Sequence, residues 1–188
     1  MNLYDFDGTI YNGDSSVDFF KYCLRKNKKT FFTIPEIFIA LIMYLLGIKN
    51  KTMFKEKCFS FLKYITDIDC AVSAFWINNE VKIKKWYLMQ KKDSDIIISA
   101  SPEFLLLPVC QRLGVKLIAS RVDKYSGIFT GENCYGEEKV RRFKSECNSS
   151  IIDAFYSDSK TDKPLADLAK NAFLIKGKNI IKWDRIHE

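Results

Sequence analysis

The sequence contains almost no histidine. The single histidine among 188 residues is His187, at the extreme C-terminal end. We therefore expect no histidine-based catalysis, and any chemistry has to use carboxylates, hydroxyls and lysines.

The sequence also lacks CxxC pairs. Its six cysteines are scattered along the chain, and several lie in apolar helical patterns. Neither a zinc site nor a disulfide framework is indicated, and cysteine in such a pattern behaves as a small apolar residue. No signal peptide is expected, because the apolar run near the N-terminus is only Leu3–Tyr4. These features predict a protein of the reducing cytoplasm.

Acidic residues are too few to balance the basic ones, and the formal net charge is +7. A positive charge attracts phosphorylated ligands, nucleic acid or an anionic lipid surface. A lysine-rich, solvated surface is the more ordinary explanation. With 47% hydrophobic and 28% charged residues, the chain has the composition of a globular protein with room for one domain and an insertion.

Short apolar runs end in polar residues at three points. Asn2–Tyr4 leads into Asp5, Asp95–Ile98 into Ser99, and Asp153–Tyr156 into Ser157 and Asp158, while Val115–Ala119 is a fourth run. Continuous apolar runs separated by helical patterns are typical of a buried parallel sheet. Ligands bind beyond the carboxyl ends of such strands. The pattern therefore predicts that Asp5, Ser99 and Asp158 meet in one crevice.

A long helical region separates the first two strands. We predict helices from Asp14 or Ser15 to Lys26, from Thr33 to Gly47, from Thr52 to Thr66, and from Asp67 or Asp69 to Gln90. Further along, Tyr125–Gly131 indicates a small hairpin. We thus predict an α/β protein: a Rossmann-like parallel sheet core, residues 1–12 plus 93–188, and a helical cap inserted after the first strand, residues 13–92.

The sequence Asp5-Phe6-Asp7-Gly8-Thr9 follows the first strand directly. Two carboxylates one residue apart allow one to act as a nucleophile and the other as an acid and base. A calcium-type loop or a surface turn has the same short motif, so the five residues alone do not decide between these functions.

Four motifs in order resemble those of the haloacid dehalogenase-like hydrolases, in the branch that contains phosphoserine phosphatase. The first is Asp5–Thr9, the second is Ser99 after Ile96–Ile98, the third is Lys139 and the fourth is Asp158 with Asp162. Ser101 is an alternative to Ser99 that we rank behind it. The resemblance covers nearly the whole chain, and the large gap before the second motif is where this branch has its helical cap. Ser157 is a departure, because the family more often has glycine there.

The resemblance implies a Mg²⁺-dependent phosphatase with an aspartyl-phosphate intermediate. Asp5 is then the nucleophile and Asp7 the acid and base, while Ser99, the backbone N–H of Ala100 and Lys139 bind the phosphoryl oxygens. The metal ligands implied are the side chains of Asp5 and Asp158 and the backbone carbonyl of Asp7. Asp162 is expected in or just outside that shell. Each of these residues, considered alone, can also have a structural role without catalysis, such as a helix cap, a position on a solvated helix face or a place in an ordinary turn.

The most apolar segment is Phe31–Ile48, whose only charged residue is Glu36. Its eighteen residues approach the length of a membrane span. A single crossing would separate Asp5 from the later motifs, so we predict a cap helix. Lysines flank both ends, which leaves weak peripheral contact with the inner face of the membrane open.

The identity of the substrate is not decided by the sequence. The branch also contains phosphatidylglycerophosphatase C, which has a similarly apolar cap, so the expected partner is either a small phosphorylated substrate or a phospholipid headgroup. Two other functions compete: a phosphotransferase or mutase with the same aspartyl-phosphate, and a non-enzymatic basic module that stacks bases on Trp86 and Tyr87. The complete set of motifs argues against the module, and no nucleic acid partner is expected.

Overall fold

A parallel β-sheet forms the centre of the molecule. The computed structural model describes residues 1–147 and 151–183, so His187 lies outside the described part. In those residues the sheet has six strands in the order β3-β2-β1-β4-β5-β6, all parallel except the last pair. The strands are β1 Asn2–Tyr4, β2 Ile96–Pro102, β3 Lys116–Ser120, β4 Ala154–Ser157, β5 Asn171–Lys176 and β6 Asn179–Lys182. The predicted α/β class with a Rossmann-like sheet is confirmed.

The central strand β1 is buried on both faces. Leu3 pairs with Ile96 on one side and with Phe155 on the other, and Tyr4 pairs with Ile97. Leu3 belongs to one apolar cluster, whereas Tyr4 belongs to a second cluster on the opposite face. A strand covered on both faces needs apolar residues at every position, which explains its uninterrupted apolar run.

Strand β2 is longer than its sequence predicts. We expected Ser99 just after the strand, but β2 continues to Pro102 and Ser99 lies within it, opposite Ala119 of β3. The register shifts between Ser99 and Pro102, where pairing resumes with Ser120. The expected end of β2 before Ser99 was wrong because β3 supplies backbone hydrogen-bond partners beyond the apolar run of β2. An irregularity in the pairing of β2 with β3 accommodates the polar residues.

In the described residues, three α-helices follow β2, and a short 3₁₀ helix covers Lys160–Asp162. The α-helices are α6 Glu103–Leu113, α7 Glu137–Glu146 and α8 Lys163–Ala166. Helix α6 ends at Gly114, whose φ of 68° lies in the left-handed region that favours glycine. The predicted hairpin at Tyr125–Gly131 is a turn with one isolated bridge, because the carboxylate of Asp123 accepts hydrogen bonds from the backbone and hydroxyl of Ser126.

The region between β1 and β2 is helical, as predicted. Its helices are α1 Ser15–Lys26, α2 Ile34–Leu45, α3 Lys51–Phe59, α4 Ile68–Asn79 and α5 Lys85–Gln90, and short 3₁₀ helices cover Lys28–Thr33, Ser60–Tyr64 and Glu80–Lys82. The described residues contain no helix that is both long enough and apolar enough to cross a bilayer.

The single helix expected to run as far as Gln90 is interrupted after Asn79. The backbone N–H of Lys84 donates to the carbonyl of Ile10 at 2.7 Å, and the N–H of Asn12 donates to the carbonyl of Lys82 at 2.9 Å. These bonds hold Ile83 and Lys84 extended beside the segment that follows β1. A helix through this point would lose both contacts.

The helices of the predicted cap share an apolar cluster with the sheet. Tyr4 of β1 lies in this cluster with Phe6, Phe75 and Trp76, and the Trp76 indole N–H donates to the carbonyl of Leu105 at 2.6 Å. The division of the chain into a core and a cap of residues 13–92 therefore remains a prediction about topology, because the core and the predicted cap are packed together.

The predicted stacking surface on α5 is not exposed. Tyr87 is fully buried, and the rings of Tyr87 and Trp86 pack against Tyr4 at centroid distances of 4.9 and 6.2 Å. These two rings are part of the apolar packing and do not offer a platform for bases.

We predict that Trp76→Ala lowers the free energy of unfolding by about 3–5 kcal/mol, the usual cost of truncating a large buried aromatic side chain. Urea unfolding followed by circular dichroism measures this change. The matched control is Met89→Ala, because Met89 is 87% exposed and its truncation should have little effect. Equal effects of the two substitutions would contradict the packing described.

Candidate active site

All the predicted site residues line one cavity at the carboxyl ends of the strands. The cavity has a volume of about 740 Å³. Its lining includes Asp5, Asp7, Ser99, Ala100, Lys139, Asp158 and Asp162. The structure therefore brings together residues from all four motifs.

Asp5 is held in place by the two central strands and by a lysine. Its backbone N–H donates to the carbonyl of Tyr156 at 2.9 Å, and its Oδ1 accepts from Nζ of Lys139 at 2.8 Å. The residue is only 8% exposed. Burial raises the pKa of Asp5 to about 7, against the attraction of Lys139, and the charge of Asp162 raises it further.

Lys139 is a buried cation between two carboxylates. It lies in the first turn of α7 and is 2% exposed, with Nζ 2.8 Å from Asp5 and 2.7 Å from Oδ2 of Asp162. The attraction of Asp5 and Asp162 raises the pKa of Lys139 despite its burial, so the lysine is charged. Lys144 of the same helix is exposed.

Asp162 is directed toward Lys139. Its Oδ2 accepts from Nζ of Lys139 and from the hydroxyl of Ser157, each at 2.7 Å. Ser157 is the residue where the family more often has glycine, and its hydroxyl makes a contact that glycine lacks. The expected contact of Asp162 with a metal remains a prediction, because the oxygen described here is occupied by these two donors.

Asp7 is oriented by both the core and the predicted cap. The hydroxyl of Ser101 donates to its Oδ2 at 2.5 Å, and the backbone N–H of Ser15 at the start of α1 donates to its Oδ1 at 2.6 Å. Burial and then repulsion from Asp14 raise the pKa of Asp7 to about 6, while the hydrogen bonds oppose this shift. A carboxyl group with a pKa near neutrality can both donate and accept a proton.

Gly8 and Thr9 connect the first motif to the fourth. The backbone N–H of Asp158 donates to the hydroxyl of Thr9 at 2.9 Å. Gly8 has a φ of 69°, and a Cβ at this position would lie 2.0 Å from Oδ2 of Asp158. Glycine is required here both for the backbone conformation and because the Asp158 carboxylate approaches so closely.

The second motif is supported by a residue that the sequence interpretation ranked too low. Ser99 is 1% exposed, and its Oγ accepts from the backbone N–H of Ser101 at 3.1 Å. The sequence interpretation treated Ser101 as an alternative to Ser99, but the structure uses both: Ser101 orients Asp7. Its place two residues after Ser99 on the same strand was the available signal, because such residues point to the same face.

The sequence interpretation did not identify Lys55. This lysine extends from α3 into the cavity, where Nζ donates to the carbonyl of Ala100 at 3.0 Å and to Oδ1 of Asn133 at 3.1 Å. Burial, and next the nearby charge of Lys51, lower the pKa of Lys55 to about 8. Lys51, one helical turn earlier, has its Nζ 3.4 Å from the ring centre of Tyr135. The spacing of Lys51 and Lys55 was the only available hint.

The cavity has the character expected of a magnesium site. The described residues contain no group of three histidine, cysteine or acidic side chains placed to hold a metal, but the predicted set needs only Asp5, Asp158 and the carbonyl of Asp7. Mg²⁺ is commonly bound through one or two carboxylates and keeps several waters. Five aspartates and three lysines line the cavity, so acidic side chains outnumber basic ones. Because a phosphate would add more negative charge, its binding requires a further cation. The donor set therefore fits Mg²⁺.

We predict that Gly8→Ala lowers the turnover of phosphomonoesters by roughly a hundredfold or more, because the new methyl group displaces the Asp158 carboxylate from a preorganised site. Gly47→Ala is the matched control, since Gly47 has a similar φ of 72° but no atom within 4 Å of the added Cβ. Each change costs about 1–2 kcal/mol of backbone strain. Parallel assays of turnover and urea unfolding separate the two effects, and equal losses of turnover would contradict the close approach.

Comparisons with known proteins agree with this geometry. A model of the haloacid dehalogenase-like hydrolase family matches residues 3–167. A comparison with curated protein sequences finds no match.

Similar solved structures share the fold. A protein of unknown function from Bordetella pertussis Tohama I is 19% identical, with 92% of this chain and 87% of that chain covered and a TM-score of 0.72. A phosphoserine phosphohydrolase-like protein from Francisella tularensis subsp. tularensis SCHU S4 is 15% identical, with coverage of 92% and 86% and a TM-score of 0.57. A phosphoserine phosphatase, solved as a phospho-aspartyl intermediate analogue, is 17% identical, with coverage of 90% and 83% and a TM-score of 0.53.

The family match includes every residue of the predicted site, and with this site it supports the prediction of a phosphatase. Because the matching model extends over most of the sequence, the chain belongs to the haloacid dehalogenase-like hydrolases.

Proposed function

We propose that the protein is a Mg²⁺-dependent phosphomonoester hydrolase that works through an aspartyl-phosphate intermediate. The substrate class is a small phosphorylated metabolite or a lipid headgroup phosphate. The observation that supports this proposal most directly is the buried contact of Asp5 with Lys139, 2.8 Å apart, at the end of the central strand. It places a candidate nucleophile beside a fixed positive charge.

In the first half-reaction, a carboxylate oxygen of Asp5 attacks phosphorus. A bond forms between Asp5 and phosphorus while the bond from phosphorus to the substrate oxygen breaks. The phosphoryl oxygens are anionic and repel a carboxylate, so Lys139 and the hydroxyl of Ser99 reduce the barrier by contacting them. The side chains of Asp5 and Asp158 and the backbone carbonyl of Asp7 would hold Mg²⁺, which would supply further positive charge to the site.

Asp7 supplies and then removes a proton. In its protonated form it donates to the oxygen of the leaving alcohol. As a carboxylate it then accepts a proton from the water that attacks phosphorus, while the bond from phosphorus to Asp5 breaks, which releases phosphate and restores the Asp5 carboxylate. A pKa of about 6 places Asp7 where both forms are accessible near neutral pH. The hydrogen bonds from Ser101 and Ser15 hold the carboxyl group in one orientation through both steps.

A phosphotransferase or mutase would form the same intermediate and would differ only in the hydroxyl that accepts the phosphoryl group. The two functions are distinguished by reaction in water labelled with oxygen-18. Hydrolysis incorporates one labelled oxygen into the released phosphate, whereas transfer to another substrate hydroxyl incorporates none.

We predict that Asp5→Asn lowers turnover by roughly a hundred-thousandfold or more, the scale expected for the loss of a nucleophile. The amide has nearly the same shape but is a poor nucleophile, so circular dichroism should be unchanged. EDTA should abolish turnover of the unaltered protein, and added Mg²⁺ should restore it. Phosphate release from a panel of phosphorylated metabolites and lipids measures both effects.

Asp167→Asn is the control for the nucleophile, because Asp167 is exposed and its carboxylate forms a salt bridge with Lys163. It should retain turnover. Substantial activity in Asp5→Asn, or indifference to EDTA, would refute the mechanism.

We predict that Lys139→Ala lowers turnover by roughly a hundredfold or more, because it removes a preorganised charge from the phosphoryl site. Lys144→Ala changes an exposed lysine on the same helix and should have little effect. Steady-state kinetics with circular dichroism as a check on folding compare the pair. Small and equal effects would mean that the third motif is wrongly placed.

A further inference from the structure

Helix α2 exposes an apolar surface that no other part of the described chain covers. Of its twelve residues, all of which are described, only Ala40 is buried. We define the cap face by six side chains in this helix and just before and after it that are 58–73% exposed. They are Phe32, Phe38, Ile39, Leu45, Leu46 and Ile48. Contiguous exposed apolar side chains of this kind mark an interaction surface.

The residues beside the cap face are basic. Lys28 and Lys29 precede α2 and are exposed, and Lys49 follows it. The only acidic residue between positions 27 and 55 is Glu36, and its carboxylate lies 3.6 Å from Nζ of Lys63. The cap face therefore combines apolar side chains with lysines that form no salt bridge with any carboxylate in the part of the chain that the structure describes.

This combination favours an anionic bilayer over a second copy of the chain. A symmetric contact between two cap faces would bring two sets of lysines together without carboxylates to pair with them. Anionic headgroups supply the complementary charge, while the acyl region accepts the apolar side chains. An exposed apolar helix with lysines in the segments before and after it can insert its side chains at the boundary of an anionic bilayer while the lysines contact the headgroups.

The cap face adjoins the wall of the catalytic cavity. Ile37 lies next to Phe38 in α2 and lines the cavity that contains Asp5, together with Phe20 and Phe54. One helix thus contributes to the cavity and to the exposed apolar surface. A phosphomonoester held at a membrane surface would be close to the helix that forms part of the cavity wall.

We propose that the cap face docks on an anionic phospholipid bilayer, with the flanking lysines in the headgroup region, and so brings the catalytic cavity to phosphomonoesters at that surface. The reaction at the surface rests on the hydrolase function proposed above, whereas the docking itself does not. Docking is therefore measured without substrate.

The test is sedimentation with vesicles of phosphatidylcholine mixed with phosphatidylglycerol, compared with vesicles of phosphatidylcholine alone. The protein should bind the anionic vesicles more tightly, and binding should weaken as salt rises, because charge attraction is screened over about 10 Å at ordinary ionic strength. Leu45→Glu should weaken binding about tenfold or more, since it replaces an apolar side chain of the cap face by a charge.

Val81→Glu is the matched control, because Val81 is an 85% exposed apolar residue outside the cap face, and it should bind almost as the unaltered protein does. Lys29→Glu reverses a charge beside the cap face and should weaken binding about fivefold or more. Lys144→Glu, on α7, should bind more tightly than Lys29→Glu. Circular dichroism checks that all four variants fold.

Equal binding of Leu45→Glu and Val81→Glu would overturn the proposal, as would equal, salt-independent binding to both kinds of vesicle. A dimer in sedimentation velocity without vesicles that Leu45→Glu converts to a monomer would assign the cap face to a second copy instead. Hydrolysis without vesicle binding would overturn the docking alone. Vesicle binding without hydrolysis of any phosphomonoester would leave the docking supported and overturn the proposed function.

Discussion

The buried ammonium group of Lys139 is the interaction on which the site depends. Its contacts with Asp5 and Asp162 join the end of β1, the start of α7 and the segment after β4. Removing one member of such a buried group leaves a charge uncompensated, which is strongly unfavourable. The same arrangement that fixes these three elements also places positive charge beside the candidate nucleophile. The ion pairs of Lys139 therefore contribute both to holding these three elements together and to the charge of the candidate site.

The predicted cap takes part in the site as well as covering it. The N-terminus of α1 donates to Asp7 through Ser15, and α3 extends Lys55 to the carbonyl of Ala100. Below these contacts the cap helices share an apolar cluster with the sheet. A displacement of the cap would therefore alter the surroundings of Asp7 directly, and access to the cavity would be coupled to the orientation of the candidate acid and base.

The apolar character of α2 has a different consequence from the apolar character of β1. Strand β1 is covered on both faces, so its side chains contribute to the core. Helix α2 buries only Ala40, so its hydrophobicity does not stabilise the fold in the same way. Exposed apolar side chains flanked by lysines are instead the features on which the proposed contact with a membrane surface rests. The sequence composition alone does not distinguish these two uses of apolar residues.

Local patterns in the sequence determined most of the strands and the helix boundaries near Asp14, Pro102 and Gly114, because apolar periodicity and capping residues act over short distances. The order of the motifs that identifies the family is also a property of the sequence alone. Tertiary structure alone decided the interruption after Asn79, the roles of Ser101 and Lys55, and the orientation of Asp162 toward Lys139. Each of these depends on hydrogen bonds or ion pairs between residues far apart in the chain, such as Lys84 with Ile10 and Ser101 with Asp7. Local propensity carries no information about such partners, which exist only once the sheet and the cap have packed.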